Sequence, residues 1–358
     1  MSQDADVIVV GAGLAGACAA FVLSGRMRVH LLEADAPASG ASGAAAGLVN
    51  PFMGRRARPV WRLREALDAV STILGAAGTS ELFPPQGVLR PVVEPDQEAP
   101  FRTAATEHPD RATWLSAADV RAAYPAVQTD VGALYVPDGG AIEVPAMVGA
   151  LLEAAETRGA VVDAEAPVLY WRETPSDAVV EVGRGPETEE LRADRVLLAL
   201  GQGYPAFPEL RRLGLTGVKG QTVRVRRPDA LAGPLPPLSG RGYVVPEADG
   251  SLVLGSNYDN NFDDLTPDPQ ATAYIREKTA GMVRGVDATE ILDEQAGVRV
   301  KHENGNLPLL GPLPRRERIW TFTALGSKGL LTAPLLSRGL PGFLDDPGTI
   351  PEAVQIPG

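Results

Sequence analysis

The chain has 358 residues, 44% of them hydrophobic, enough for a large core and more than one domain usually holds, so two domains sharing an interface are expected. Its 45 acidic against 33 basic residues give a net charge of −12, and a nucleic-acid partner is not expected unless the basic residues cluster. One cysteine, Cys18, and three histidines, His30, His108 and His302, exclude an intrachain disulfide, a CxxC redox pair and Cys/His sets for zinc or iron–sulfur, so no metal is expected.

In chain order, Val7-Ile8-Val9-Val10 is a β-branched run of the kind buried on both faces of a parallel sheet, and Gly11-Ala12-Gly13-Leu14-Ala15-Gly16 follows at once. Gly11 suits the tight turn, Gly13 lets the backbone approach a pyrophosphate, and Gly16 lets the next helix pack closely on the strand. That helix, continuing over Ala17 to Leu23, turns its unpaired N–H groups toward the phosphates. Val29-His30-Leu31-Leu32 reads as the second strand, closed by Glu33 and Ala34. A carboxylate at that place accepts hydrogen bonds from ribose hydroxyls and repels a 2′-phosphate. A glycine fingerprint alone says little; strand, helix, second strand and acid in register predict a dinucleotide site. The same apolar stretch is not expected to be a leader or a membrane span. The start Ser2-Gln3-Asp4-Ala5-Asp6 is acidic, no basic residue precedes it, and three glycines interrupt it, so a cytoplasmic protein is expected.

Ser39 to Pro51, SGASGAAAGLVNP, is too poor in side chains to pack a core. It reads as a flexible linker or, being less polar than linkers usually are, as a second backbone cradle with helical alanines entered through Ser42 and Gly43. Asn50 to Arg62 is basic, with Arg55, Arg56 and Arg58 forming either a solvated face or a receptor for an acidic group. After the proline- and charge-rich Phe83 to Pro100, Gly132 to Gly140 reads as a strand closing in a turn, followed by a helix from about Val144 to Arg158 and the strand Ala160 to Val162. Pro167 to Tyr170 and Arg195 to Gly201 are further strands. Gln221 to Arg227 alternates, and Gly242 to Pro246, the turn at Asp249-Gly250 and Ser251 to Gly255 predict an antiparallel hairpin. A helix is expected over Thr266 to Met282, beginning near Pro267. Trp320 to Thr323 is a strand leading through Leu325-Gly326-Ser327-Lys328-Gly329-Leu330 into a final helix, and Asp345 to Gly358 reads as a loosely ordered tail.

Four segments, GAGLAG, GASGAAAGL, AGVRVKHENGNLPLLGPLP and ALGSKGLLTAPLL, together resemble the glycine oxidase and D-amino acid oxidase family of FAD-dependent oxidoreductases, over nearly the whole chain. The resemblance implies an α/β fold: a Rossmann-like FAD-binding domain of discontinuous segments plus an α+β substrate domain with an antiparallel sheet. The implied FAD-binding segments are 1–85, 140–215 and 296–345, and the substrate-binding segments 86–139 and 216–295, with a tail at 346–358. FAD, held without a covalent link, is expected against Gly11 to Gly16, Glu33, Ala34, Ser42, Gly43, Ala45, Ala46, Gly47 and Leu48. Further contacts are expected from Val168 at the adenine edge, Leu200 and Gly201 beside the pyrophosphate, Arg299, and Gly326, Ser327, Lys328, Gly329 and Leu330, whose amides would face the flavin pyrimidine.

The family chemistry takes a hydride from the carbon bearing the amine nitrogen, so the protein mainly positions substrate and no catalytic histidine or carboxylate pair is required. Arg299 matches the family arginine that grips the substrate carboxylate, a role suited to two parallel hydrogen bonds. Tyr243 matches the roof tyrosine of glycine oxidase. It and Tyr258 either close the pocket or serve as hairpin packing. Two features depart from the family. The Arg55/Arg56/Arg58 stretch is more basic than glycine oxidases lead one to expect, and GSKGLLTAPLL is also similar to the FAD domain of the bifunctional bacterial enzyme that demodifies a carboxymethyl group on tRNA wobble uridine. Three readings follow. The first is an oxidase of a small amino acid or N-alkyl glycine that uses oxygen and yields imine, then keto acid, ammonia and hydrogen peroxide. The others are tRNA demodification and a flavoprotein reductase.

Overall fold

The computed structural model describes residues 4–84, 86–229, 231, 233–303 and 305–357. Ser2 and Gln3 of the acidic start, Pro85 at an expected boundary, Asn304 of the third motif and Gly358 of the tail lie outside the described residues.

Strand Ala5–Val10 is buried on both faces, as its β-branched run requires. Val7 and Val9 feed one hydrophobic cluster while Ala5, Ile8 and Val10 feed another. It lies between Val29–Leu32 and Glu187–Leu198, parallel to both, and Val161–Asp163 and Ile319–Thr323 extend the parallel set on either side. Glu187–Leu198 is longer than the apolar run from Arg195 suggests. Its charged first half pairs antiparallel with Ala178–Arg184, a ribbon that Val168–Glu173 continues, and there one face meets water. Helix Leu14–Leu23 buries every residue but Val22, and packs on helices Val144–Thr157 and Gly329–Ser337. Cys18 lies in it fully buried, and burial pushes its thiol well above the usual range.

A second sheet runs in the order Ile291–His302, Leu215–Val225, Leu252–Gly255, Tyr243–Pro246, Leu238–Ser239, Val88–Pro91, Gly132–Val136, Thr113–Ser116. The expected hairpin pairs Tyr243 with Gly255 and Pro246 with Leu252. Val223, Val225, Leu252 and Leu254 meet Ile275 of helix Pro269–Ala280 on one face. The alternate positions Gly220, Thr222, Tyr243 and Arg299 line a cavity on the other.

Three local expectations are corrected. The alanines after Ser42 and Gly43 do not form a helix, Ala44 closing a turn and Ala45 and Ala46 running irregular: Ala38 and Gly47 take left-handed backbone, and a Cβ on Gly43 would stand 2.5 Å from the Ala38 carbonyl oxygen. The helix expected from Thr266 starts only at Pro269, where Asp268 caps it by accepting the Gln270 N–H at 2.9 Å. The tail is packed rather than loose. Ile350 and Val354 are buried in the main core, because apolar side chains spaced four apart find the groove beside helix Leu340–Asp345.

Candidate cofactor and substrate site

A cavity of about 1010 Å³ is lined by residues of both sheets. That is at the top of the range for small-ligand sites, the size needed when a long cofactor and a substrate share one space.

At one end stands the glycine turn. Gly11 has φ 105°, and a Cβ there would lie 2.6 Å from the Ala199 carbonyl oxygen; a Cβ on Gly16 would lie 1.8 Å from the Gly11 oxygen. Only glycine fits either place. Helix Leu14–Leu23 begins with no side-chain cap from Gly13 and no acid in its first turn, leaving an N-terminus suited to phosphate. Ser42 crosses in front of it and accepts the Leu14 N–H at 3.0 Å. The Glu33 carboxylate is held beside the same turn, accepting the Ala12 N–H at 2.6 Å and the Asp35 N–H at 3.1 Å.

Most of the expected cofactor residues line this cavity: Gly11, Gly13, Leu14 and Ala15; Glu33 and Ala34; Ser42, Ala45, Ala46, Gly47 and Leu48; Val168, Leu200 and Gly201; and Gly326 to Leu330. Ala12, Gly16 and Gly43 are not among the lining residues. Gly16 and Gly43 sit close against carbonyl oxygens of their own turns, and Ala12 is fully buried and presents its N–H to Glu33. The Lys328 amine donates to the Asn306 carbonyl at 2.8 Å, and burial lowers its pKa.

At the other end, under the second sheet, Arg299 donates from Nη1 to Ser256 Oγ at 3.2 Å and from Nη2 to the Asn257 carbonyl at 2.9 Å, and stacks on the Tyr258 ring at 4.4 Å. Each Nη retains one N–H. The guanidinium folds over Gly220, where an added Cβ would lie 2.0 Å from Nη2. Tyr243 lies over Gly255 in the same way. Burial raises the pKa of its phenol, against the lowering effects of the Arg299 charge and the hydrogen bond with Ser256. Tyr243 and Arg299 thus meet at Ser256, while Tyr258, stacked on Arg299, remains 68% exposed.

Sequence reasoning missed Arg90, Arg241, Ser256 and Lys278. Arg90 lines the cavity yet is 1% exposed, its guanidinium spent on the carbonyls of Phe52, Gly54 and Ser239, and burial pushes its pKa down to about 9. Lys278, on helix Pro269–Ala280, reaches past Gly242 to the Ser256 carbonyl; burial, then Arg241 and Arg299, push its pKa down to about 8. No local pattern announces either, since only tertiary contacts bury them. Of the basic stretch, Arg55 lines the cavity, paired with Glu94 and with Asp96 at 2.9 Å; Arg56 and Arg58 do not line it.

Residues 6–340 match the family model described as DAO, FAD dependent oxidoreductase, and the chain belongs to that family. It is similar to the tRNA 5-methylaminomethyl-2-thiouridine biosynthesis bifunctional protein MnmC of Idiomarina loihiensis, 27% identical over 93% of this chain and 54% of that protein. It is also similar to the glycine oxidase of Geobacillus kaustophilus, 26% identical over 94% of this chain and 91% of that one. The chain thus spans about half the length of the bifunctional relatives it matches. The solved glycine oxidase of G. kaustophilus superposes with a TM-score of 0.83 at 24% identity, covering 96% of this chain and 95% of that one. The iminodiacetate oxidase of Chelativorans sp. does so at 0.82 and 21% identity, covering 98% and 100%. Both share the fold. The chain is an FAD-dependent oxidoreductase by family, and the glycine turn, the helix N-terminus and Glu33 fit that cofactor's nucleotide half. No helix among the described residues is long and apolar enough to cross a membrane.

Proposed function

We propose that this family member oxidises the C–N bond of a small amino acid: a D-amino acid, glycine or an N-alkyl glycine. Bound FAD would supply the acceptor for the hydride leaving the carbon that bears nitrogen; the imine hydrolyses to the oxo acid with release of ammonia, or of the alkylamine from an N-alkyl glycine, and oxygen receives the electrons as hydrogen peroxide. The observation that carries the reading is Arg299, a guanidinium with no ion-pair partner among the described residues, lining the cavity and held by Ser256 and the Asn257 carbonyl. A charge so placed is matched by a ligand carboxylate gripped through two parallel hydrogen bonds. Tyr243 and Tyr258 frame that carboxylate. Gly11, Gly13, Leu14 and Ala15 hold the pyrophosphate, in a turn that Ala12 and Gly16 complete, and Glu33 with Ala34 holds the adenosine ribose. Ser42 to Leu48, Val168, Leu200 and Gly201 flank the cofactor, and Gly326 to Leu330 face the flavin ring with backbone amides. Segments 1–85, 140–215 and 296–345 then form the FAD-binding domain and 86–139 and 216–295 the substrate domain.

Oxygen-electrode traces with D-amino acids, glycine, sarcosine and L-proline test the reading. Substrate-dependent oxygen uptake with equimolar peroxide supports it, and flavin that none of them reduces under anaerobic conditions refutes it. The similarity to the bifunctional MnmC protein supports a second reading, oxidation of a carboxymethylaminomethyl nitrogen on tRNA. Flavin reduction by a modified anticodon stem-loop, and by no free amino acid, would select it.

A further inference from the structure

Charge is distributed unevenly along the cavity. Its two lining carboxylates, Glu33 and Asp35, stand together just after strand Val29–Leu32, whereas the end under the second sheet is lined by Arg299, Arg90, Arg241 and, at the rim, Arg55. Among the described residues Arg299 and Arg90 have no carboxylate partner; their N–H groups go to the Ser256 hydroxyl and to backbone carbonyls. Lys278, immediately behind Ser256, faces a carbonyl oxygen and the Tyr274 ring, and the nearest charges acting on it are Arg241 and Arg299. Buried cations surrounded by cations and carbonyls are stabilised by an anion entering beside them. A single substrate carboxylate on Arg299 leaves that surplus largely in place.

Arg241 offers the second station. It lies between Gly240 and Gly242, lines the cavity, and forms a long ion pair, with Nε 3.8 Å from Glu94, a carboxylate already engaged by Arg55. Its two Nη groups, the edge that takes a carboxylate through parallel bonds, have no hydrogen-bond partner among the described residues.

We propose that the substrate is an amine carrying two carboxylates, an acidic amino acid or an N-carboxymethyl amino acid, with one carboxylate on Arg299 and the other on Arg241. This rests on the amine-oxidation reading above, and equilibrium binding separates the two. The FAD-loaded protein is titrated with malonate, succinate and glutarate and with the monocarboxylates of matching chain length, following flavin absorbance and heat. The best dicarboxylate is expected to bind at least about tenfold tighter than its monocarboxylate partner. Arg241→Ala should bring that ratio close to one by weakening the dicarboxylate more than the monocarboxylate, and Arg241→Glu should invert it. Arg299→Ala should weaken both ligand classes. Equal binding of the two classes by the wild type, or a ratio that survives both Arg241 variants, overturns the proposal while leaving amine oxidation intact. Monocarboxylate binding indifferent to Arg299→Ala refutes the reading beneath it. An anticodon stem-loop RNA that binds in an Arg241-dependent manner, when dicarboxylates have no advantage, likewise overturns the proposal in favour of a nucleic-acid ligand.

Discussion

Lys278→Met isolates the electrostatic state of the roof. In the folded chain the Lys278 amine has a pKa of about 8, lowered from 10.5 by burial and by the charges of Arg241 and Arg299. Between those two values the unfolded chain binds more protons than the folded one, so unfolding free energy rises with pH; the stability lost to Lys278 is regained above the unfolded value and is missing below the folded one. From pH 7 to pH 9.5 the full shift corresponds to about 2 kcal/mol, and water entering from the pocket side reduces this toward about 1 kcal/mol. Urea unfolding of the substrate-free, FAD-loaded protein at the two pH values measures it for wild type and for Lys278→Met. Subtracting one pH difference from the other cancels every other titrating group. Absolute stability is a poorer gauge, because methionine removes the buried charge but also leaves the Ser256 carbonyl without its donor. A double difference below about 0.3 kcal/mol, the scatter of additivity itself, would refute the picture of a buried amine held among like charges.

Arg299→Ala should lower the rate of anaerobic flavin reduction per molar substrate by about ten- to a hundredfold, the loss of a charge-assisted bond of roughly 1.5–3 kcal/mol, with Arg299→Lys recovering only part; stopped-flow absorbance reads both. Gly220→Ala, whose Cβ would lie 2.0 Å from Arg299 Nη2, should raise the Kd of carboxylate ligands without displacing flavin, and unchanged binding would show that the guanidinium does not need its seat over the glycine. Glu33→Ala should raise the FAD dissociation constant by about tenfold or more, measured by fluorescence after dialysis, with the far-ultraviolet circular dichroism retained. Acid precipitation should release all flavin into the supernatant, since Cys18 is fully buried inside helix Leu14–Leu23; colour in the pellet would contradict it.

What was legible in the sequence was what local periodicity and turn chemistry determine. The strand Ala5–Val10, the glycine turn, the helix and Glu33 form a contiguous unit whose geometry depends on backbone freedom at Gly11 and Gly16, so residue types alone specify it. The hairpin Tyr243–Pro246 with Leu252–Gly255 was legible for the same reason, through its alternation and the Asp249-Gly250 turn. Arg299 entered by resemblance rather than by pattern. Tertiary structure decided the rest. The alanines after Ser42 form no helix because the segment must cross the N-terminus of helix Leu14–Leu23 and give Ser42 Oγ to Leu14. The tail packs because Ile350 and Val354 find a groove built by distant elements. Arg90 and Lys278 look like ordinary surface residues in sequence. They become buried cations only when a sheet, a hairpin and a helix separated by many residues close over them, since charge burial is a property of the assembled fold and not of any segment within it.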